Sequence, residues 1–207
     1  MREQHNLTHS LSKEELFTYR QRGYLIRESV FTLSELSELT ASAERAVALA
    51  HDQSATGKSY HLDGKRFVDI GKMTVQFEPG DKGEIIRVIE PAHHLDALLE
   101  ELVGDVRIVD PIKSIIGVDQ VSVWTNKLNL KRPGKGSGFG WHQDSPYWIH
   151  DSGHVDLLPN VYFAFDDACA ENGCLRVIDK SHLRGCLPGT SDGSQLGGFF
   201  TDPACFD

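Results

Sequence analysis

Read for the spacing of apolar and polar positions, the chain divides into a helical first half and a strand-like second half. Ser12-Lys13-Glu14-Glu15 has the form of a capping box, so a short helix opens there and Gly23 ends it. Tyr24-Leu25-Ile26 reads as a brief strand. Thr32-x-x-Glu35 is a second capping box, and Leu33, Leu36, Leu39, Ala43, Ala46, Val47 and Ala50 recur at helical spacing behind it. Residues 51–66 are polar and rich in turn formers, with Asp63-Gly64 as a hairpin signal. Met73 to Glu78 alternates as a strand. Pro91 can start a helix whose Leu95, Leu98, Leu99 and Leu102 face inward before Gly104. Val106 to Ile116 predicts another short helix, interrupted near Pro111 and closed by Gly117.

Beyond residue 119 the period changes to two. Gln120 to Lys131, the apolar run Asn160 to Asp166 and Cys174 to Ile178 all read as strands, the last two joined through Glu171-Asn172-Gly173. Pro133 to Gly140 is a glycine-rich loop. Helices first, then short antiparallel strands with tight turns, predict an α+β protein with a jelly-roll core. One domain over 1–207 is expected, with a helical and mixed part at 1–118 and the roll beginning at 119.

Composition narrows the class. Apolar residues at 40% and charged residues at 25% suit a folded chain. A net charge of −9 argues against nucleic acid or an anionic membrane as the main partner. No apolar run reaches the ~20 residues of a membrane span, and no signal-type apolar stretch follows the first residues. The four cysteines (169, 174, 186, 205) lack zinc-ribbon or disulfide-framework spacing and read as reduced thiols, which places the protein in the cytoplasm.

Candidate chemistry centres on Gly140-Trp141-His142-Gln143-Asp144. Written as a strand, His142 and Asp144 point to one face, which supplies two of the three donors of a two-His, one-carboxylate facial triad for Fe(II). Other motifs fail. Gly57-Lys58-Ser59 lacks the first glycine of a phosphate loop, since position 52 is Asp, and the glycines at 134–140 do not fit Gly-x-Gly-x-x-Gly. Gly136-Ser137-Gly138 lacks a nucleophile elbow's spacing. His93-His94 reads as a surface or capping pair. A zinc hydrolase would need a His-Glu-x-x-His helix, which the sequence does not contain.

Four stretches taken together carry a resemblance: Leu16–Leu25, Arg87-Val88-Ile89-Glu90-Pro91, Trp141–Asp144, and Asp167–Ile178 leading to Ser181-His182. In these the chain resembles the phytanoyl-CoA dioxygenase family of Fe(II)- and 2-oxoglutarate-dependent oxygenases. The resemblance implies a double-stranded β-helix (the jelly roll), His142 and Asp144 as iron ligands, and 2-oxoglutarate and O2 as cosubstrates acting on a small organic molecule. Asp144 stands where related halogenases leave room for a halide, so hydroxylation is implied. By the same alignment Lys127 and Tyr162 line the cosubstrate pocket. The family's later His and a following Arg, which complete the triad and hold the far carboxylate, have no counterpart here, since no His follows His182 and no Arg follows Arg184. The expectation is therefore an incomplete roll whose activity is left open, with His150, His154 and His182 as substitutes for the third ligand outside the family pattern. The alternative is a non-catalytic jelly-roll protein that retains a residual metal-binding pair. Nothing in the sequence fixes an oligomeric state.

Overall fold

A computed structural model describes residues 9–62, 64–80, 84–190 and 200–206. Helix α1 (Lys13–Arg22) begins where the Ser12 hydroxyl accepts from Glu15 N–H and the Glu15 carboxylate accepts from Ser12 N–H, the reciprocal bonds of a capping box. Thr32 and Glu35 repeat the device at the start of α2 (Leu33–Ser54). Of the apolar stripe on α2, Leu39, Ala43, Ala46 and Ala50 are buried, but Leu33 in the first turn is 85% exposed. Small residues on this face let the helix approach the sheet closely.

The sheet is an antiparallel meander in the order β1 (Lys58–Leu62), β2 (Lys65–Ile70), β3 (Met73–Phe77), β4 (Ile86–Glu90) and β5 (Leu128–Asn129). Leu62 pairs with Lys65 across the β1–β2 turn, as the Asp63-Gly64 signal predicts; Asp63 itself lies outside the described residues. Val68, Met73, Val75, Phe77, Ile86, Ile89 and Leu128 join Ala43 and Ala50 of α2 in one core cluster. Each of the Val, Leu, Ile, Phe and Met side chains, buried whole, contributes roughly 1.5–3 kcal/mol from apolar burial. Asp96 caps α3 (Ala97–Val103) through Leu98 N–H, and Gly117 closes α4 (Val106–Ile116), which carries Pro111 in its interior. No helix among the described residues is long and apolar enough to cross a membrane.

Three expected strands do not form. Tyr24–Ile26 is held instead by its neighbours: the Arg22 guanidinium lies 4.4 Å from the Tyr24 ring, and Arg27 bonds Glu15 and the His9 carbonyl. Asn160–Asp166 and Cys174–Ile178 have no ladder partner among the described residues, and Val161, Tyr162, Leu175 and Val177 are exposed. Phe163 and Phe165 make ring contacts, Phe163 edge-on to Phe31 at 5.0 Å. Of Gln120–Lys131, two residues join the sheet as β5. Alternation expresses a preference for extended backbone, whereas a ladder needs a neighbour that local pattern does not encode. The described architecture is thus α+β, with helices against a five-stranded antiparallel sheet that lies mostly before residue 119, where the roll was expected to begin, and a separate short ladder pairs Gly189–Thr190 with Phe200–Thr201.

A long-range dock ties the start of the fold to residues 179–182. Lys180 N–H donates to the Arg22 carbonyl at 2.9 Å, Arg22 pairs with Asp179 at 2.9 Å, and the His182 ring meets the Arg20 carbonyl through Nε2 at 3.0 Å. Gly23, which ends α1 at φ 86°, lies under that ring, so a Cβ there would stand 2.3 Å from His182 Nδ1. Gly23→Ala meets both a left-handed backbone and a filled space. It is expected to lower stability by at least about 1 kcal/mol in urea unfolding.

Asp96 reports on the α2–α3 contact. Arg45 and the Ser42 hydroxyl bond its two oxygens and hold its carboxyl at about 2, below the ordinary 3.8. Because the folded value is the lower one, this stabilisation is complete above the unfolded value and is lost as pH falls from about 4 toward 2. Asp96→Asn should lower stability at neutral pH and flatten this acid limb of the stability profile, as thermal melts against pH will show.

Candidate functional site

The site is assembled around the loop between β5 and the one-turn helix α5 (Ser145–Trp148). Its foundation is a buried ion pair. Glu78 follows a register irregularity at the end of β3, and Arg87 sits in β4; both side chains are 2% exposed, with Arg87 Nη1 3.8 Å from Glu78 Oε2. Glu78 accepts from Ser137 N–H at 3.1 Å and from the Ser137 hydroxyl at 2.6 Å. Arg87 bonds the Ser137 hydroxyl through Nη1 and donates from Nη2 to the Gly138 carbonyl at 2.8 Å, while its guanidinium lies 3.9 Å from the Phe139 ring centre. Burial pulls the Arg87 guanidinium below its ordinary pKa, and the Glu78 charge offsets part of that. Arg87 Nε is buried without a hydrogen-bond partner among the described residues. A buried pair of this kind costs several kcal/mol of desolvation, and its bonds to the loop offset that cost.

Past this anchor come the sequence-predicted donors. His142 and Asp144 are not on a strand, contrary to expectation; the backbone there is irregular and Asp144 occupies the residue before α5. The two side chains nevertheless face each other, with His142 Nε2 3.6 Å from Asp144 Oδ1, and both are about one-third exposed. His142 Nδ1 is 2.8 Å from the Gly140 carbonyl, which can only accept, so Nδ1 carries a proton and, in the neutral ring, the lone pair is on Nε2. Asn160 donates to Asp144 Oδ2 at 2.8 Å, leaving Oδ1 directed toward the imidazole. Two donors at right angles on a first-row divalent ion stand about 3 Å apart for bonds of about 2.1 Å. The pair fits two corners of such a centre after a small side-chain rotation. Among the described residues no group of three or more His, Cys, Asp and Glu side chains is placed to hold a metal ion.

Gln143, between the two donors, faces the other way. It donates to the Gly185 carbonyl at 2.9 Å and accepts from Leu187 N–H at 2.7 Å, tying residues 185–187 to the loop. His182 is engaged with α1 and does not join His142. Lys127 pairs with Glu90 at 3.4 Å, and Glu90 also accepts from the Thr125 hydroxyl at 2.7 Å. Tyr162 is exposed. His93 sits in the turn before α3, where its N–H and that of Ala92 donate to the Asn126 Oδ1, so the capping group there is Asn126 and not His93. Sequence reasoning missed Asn160, Glu78 and Ser137. Glu78 was legible as the end of a strand, but nothing local pairs it with residues 87 and 137.

The comparisons with known proteins bear on this loop. The family model of phytanoyl-CoA dioxygenase (PhyH) matches residues 19–194, and the chain belongs to that family. An ectoine dioxygenase of Nocardia farcinica is 28% identical over 170 residues, covering 82% of this chain and 50% of the relative. An L-proline trans-4-hydroxylase of Streptomyces griseoviridis is 30% identical over 107 residues, covering 51% of this chain and 40% of the relative. A phytanoyl-CoA dioxygenase domain-containing protein 1 homolog of Caenorhabditis elegans is 28% identical over 183 residues, covering 79% and 62% respectively. The chain spans about half the length of the ectoine dioxygenases it matches.

Gly136 shows how tightly the loop is drawn. A Cβ there would fall 2.8 Å from the Lys131 Cα, a backbone atom that cannot swing aside. Gly136→Ala is expected to loosen residues 134–140 and raise their amide hydrogen-exchange rates at least tenfold, while β1–β4 amides keep their protection.

Proposed function

We propose that this chain forms part of an Fe(II)- and 2-oxoglutarate-dependent oxygenase that hydroxylates a small organic molecule, with His142 and Asp144 as two of the metal ligands. The observation that carries the reading is the facing of His142 Nε2 and Asp144 Oδ1 at 3.6 Å with the opposite ring nitrogen bonded to a carbonyl. That arrangement is the one ligating histidines use, a second-shell acceptor fixing the tautomer. Membership of the dioxygenase family and relatives named for ectoine and L-proline support the reaction class and a small substrate. In this reading the antiparallel sheet is a portion of the family's jelly roll.

When bound, iron with 2-oxoglutarate and O2 supplies the oxidative chemistry; the chain's own residues position it. His142 would present Nε2 to the metal and Asp144 its Oδ1, and the Gly140 carbonyl and the Asn160 amide hold each in orientation. Lys127 and Tyr162 would line the cosubstrate pocket, the lysine exchanging its contact with Glu90 for a cosubstrate carboxylate. Imidazole and carboxylate suit ferrous iron without the oxidation that thiolate ligands would invite.

Titration calorimetry with Mn(II), with and without 2-oxoglutarate, tests this. Binding strengthened by 2-oxoglutarate, lost in His142→Ala and Asp144→Ala and weakened about 10–100-fold in Asn160→Ala, is the expected outcome. Binding of Mn(II) that ignores both ligand substitutions would overturn it, and binding through the pair with no response to 2-oxoglutarate would favour the non-catalytic reading.

A further inference from the structure

Between the sheet and the His-x-Asp pair runs a continuous chain of contacts that assigns a role to groups far from the reacting centre. It starts with the buried Glu78 and Arg87 side chains, passes through the Ser137 N–H and hydroxyl and the Gly138 carbonyl, and continues along the backbone to the Gly140 carbonyl that meets His142 Nδ1. We propose that Glu78, Arg87 and Ser137 are positioning residues: they fix where the Gly140 carbonyl points, and through it which nitrogen of His142 is left free to bind a metal.

Three observations favour positioning over mere packing. The two charges are buried beyond the reach of water, yet each spends bonds on the loop rather than on the other alone. Glu78 takes the Ser137 N–H and hydroxyl, and Arg87 takes the Ser137 hydroxyl and the Gly138 carbonyl. A pair serving only the core would gain as much from apolar replacement, because buried ion pairs seldom improve on hydrophobic isosteres. Next, the contacts fall on consecutive residues, 137, 138 and 139, so translation and rotation of the loop are both restrained. Finally, the anchored stretch stops just short of Gly140, whose carbonyl accepts from the imidazole Nδ1. The bidentate Arg132–Glu44 pair on the same loop is more exposed and lies before the 137–139 stretch, so it does not replace these contacts next to Gly140.

The inference rests on His142 being a metal ligand only for its consequence in binding; its first link, the imidazole tautomer, is measurable in metal-free protein. Long-range 1H–15N correlation spectra of the histidine rings give the readout. The parent protein should show His142 protonated on Nδ1, and Ser137→Ala should shift the ring toward a mixture of tautomers and weaken Mn(II) binding about tenfold, with Ser137→Thr restoring both. Phe139→Leu, at a partly exposed position, offers the same readout should Ser137→Ala not fold. A folded Ser137→Ala protein with the parent's ring-nitrogen pattern overturns the proposal, whatever its metal affinity. If the tautomer shifts but the parent binds no Mn(II), the positioning role stands and the oxygenase reading falls. If the parent binds Mn(II) through His142 and the tautomer is indifferent to Ser137, the reverse holds.

Discussion

A guanidinium and a carboxylate buried together in a sheet demand every bond they can make, because each has surrendered its hydration. In this protein Glu78 and Arg87 meet that demand with a segment of loop from fifty residues downstream. The requirement runs both ways. The loop, which is rich in glycine and has little side-chain surface to bury, gains a fixed place that it could not obtain from hydrophobic packing. The pair gains acceptors and donors that the sheet, with its backbone groups committed to ladders, does not offer. Removing one partner would leave the other charged and alone, at a cost of about 3–5 kcal/mol. The location of the His-x-Asp pair follows from that coupling.

The His142–Asp144 pair is held in layers. His142 and Asp144 are each held by a group that is not itself a donor to the site, a backbone carbonyl in one case and the Asn160 amide in the other. Such outer contacts matter because a divalent ion does not select a tautomer or a carboxylate rotamer for free. Pre-setting them moves that cost into folding. Gln143 contributes differently, since its two bonds to residues 185–187 close the far side of the loop and keep the intervening residue out of the site.

What the sequence made legible is what depends on local chemistry. Both capping boxes, the glycine stops at 23 and 117, the helical stripe over Leu39–Ala50 and the β1–β2 hairpin are each written in a few neighbouring residues, and each is present. The adjacency of His142 and Asp144 survived even though the strand assumed for them did not, because a separation of two residues keeps side chains close in many backbone conformations. Tyr24–Ile26, Asn160–Asp166 and Cys174–Ile178 form no strands for one reason: apolar alternation and β-branching describe a willingness to extend, and pairing is decided elsewhere. Lys127 meets Glu90, a contact between separate segments that no spacing rule could supply.

The seating of residues 179–182 on the end of α1 also has a consequence for how the polypeptide reaches its native state. Contacts spanning 157 to 162 positions join the helix written first to a turn written near the end. During synthesis on a ribosome, that helix emerges long before the turn it will rest upon, and its capping box alone is a modest inducement for ten residues to stay coiled. Such remote closures are slow relative to neighbour-to-neighbour zippering. Helix α1 therefore gains this part of its tertiary support only once the chain 157 to 162 positions further on has been made.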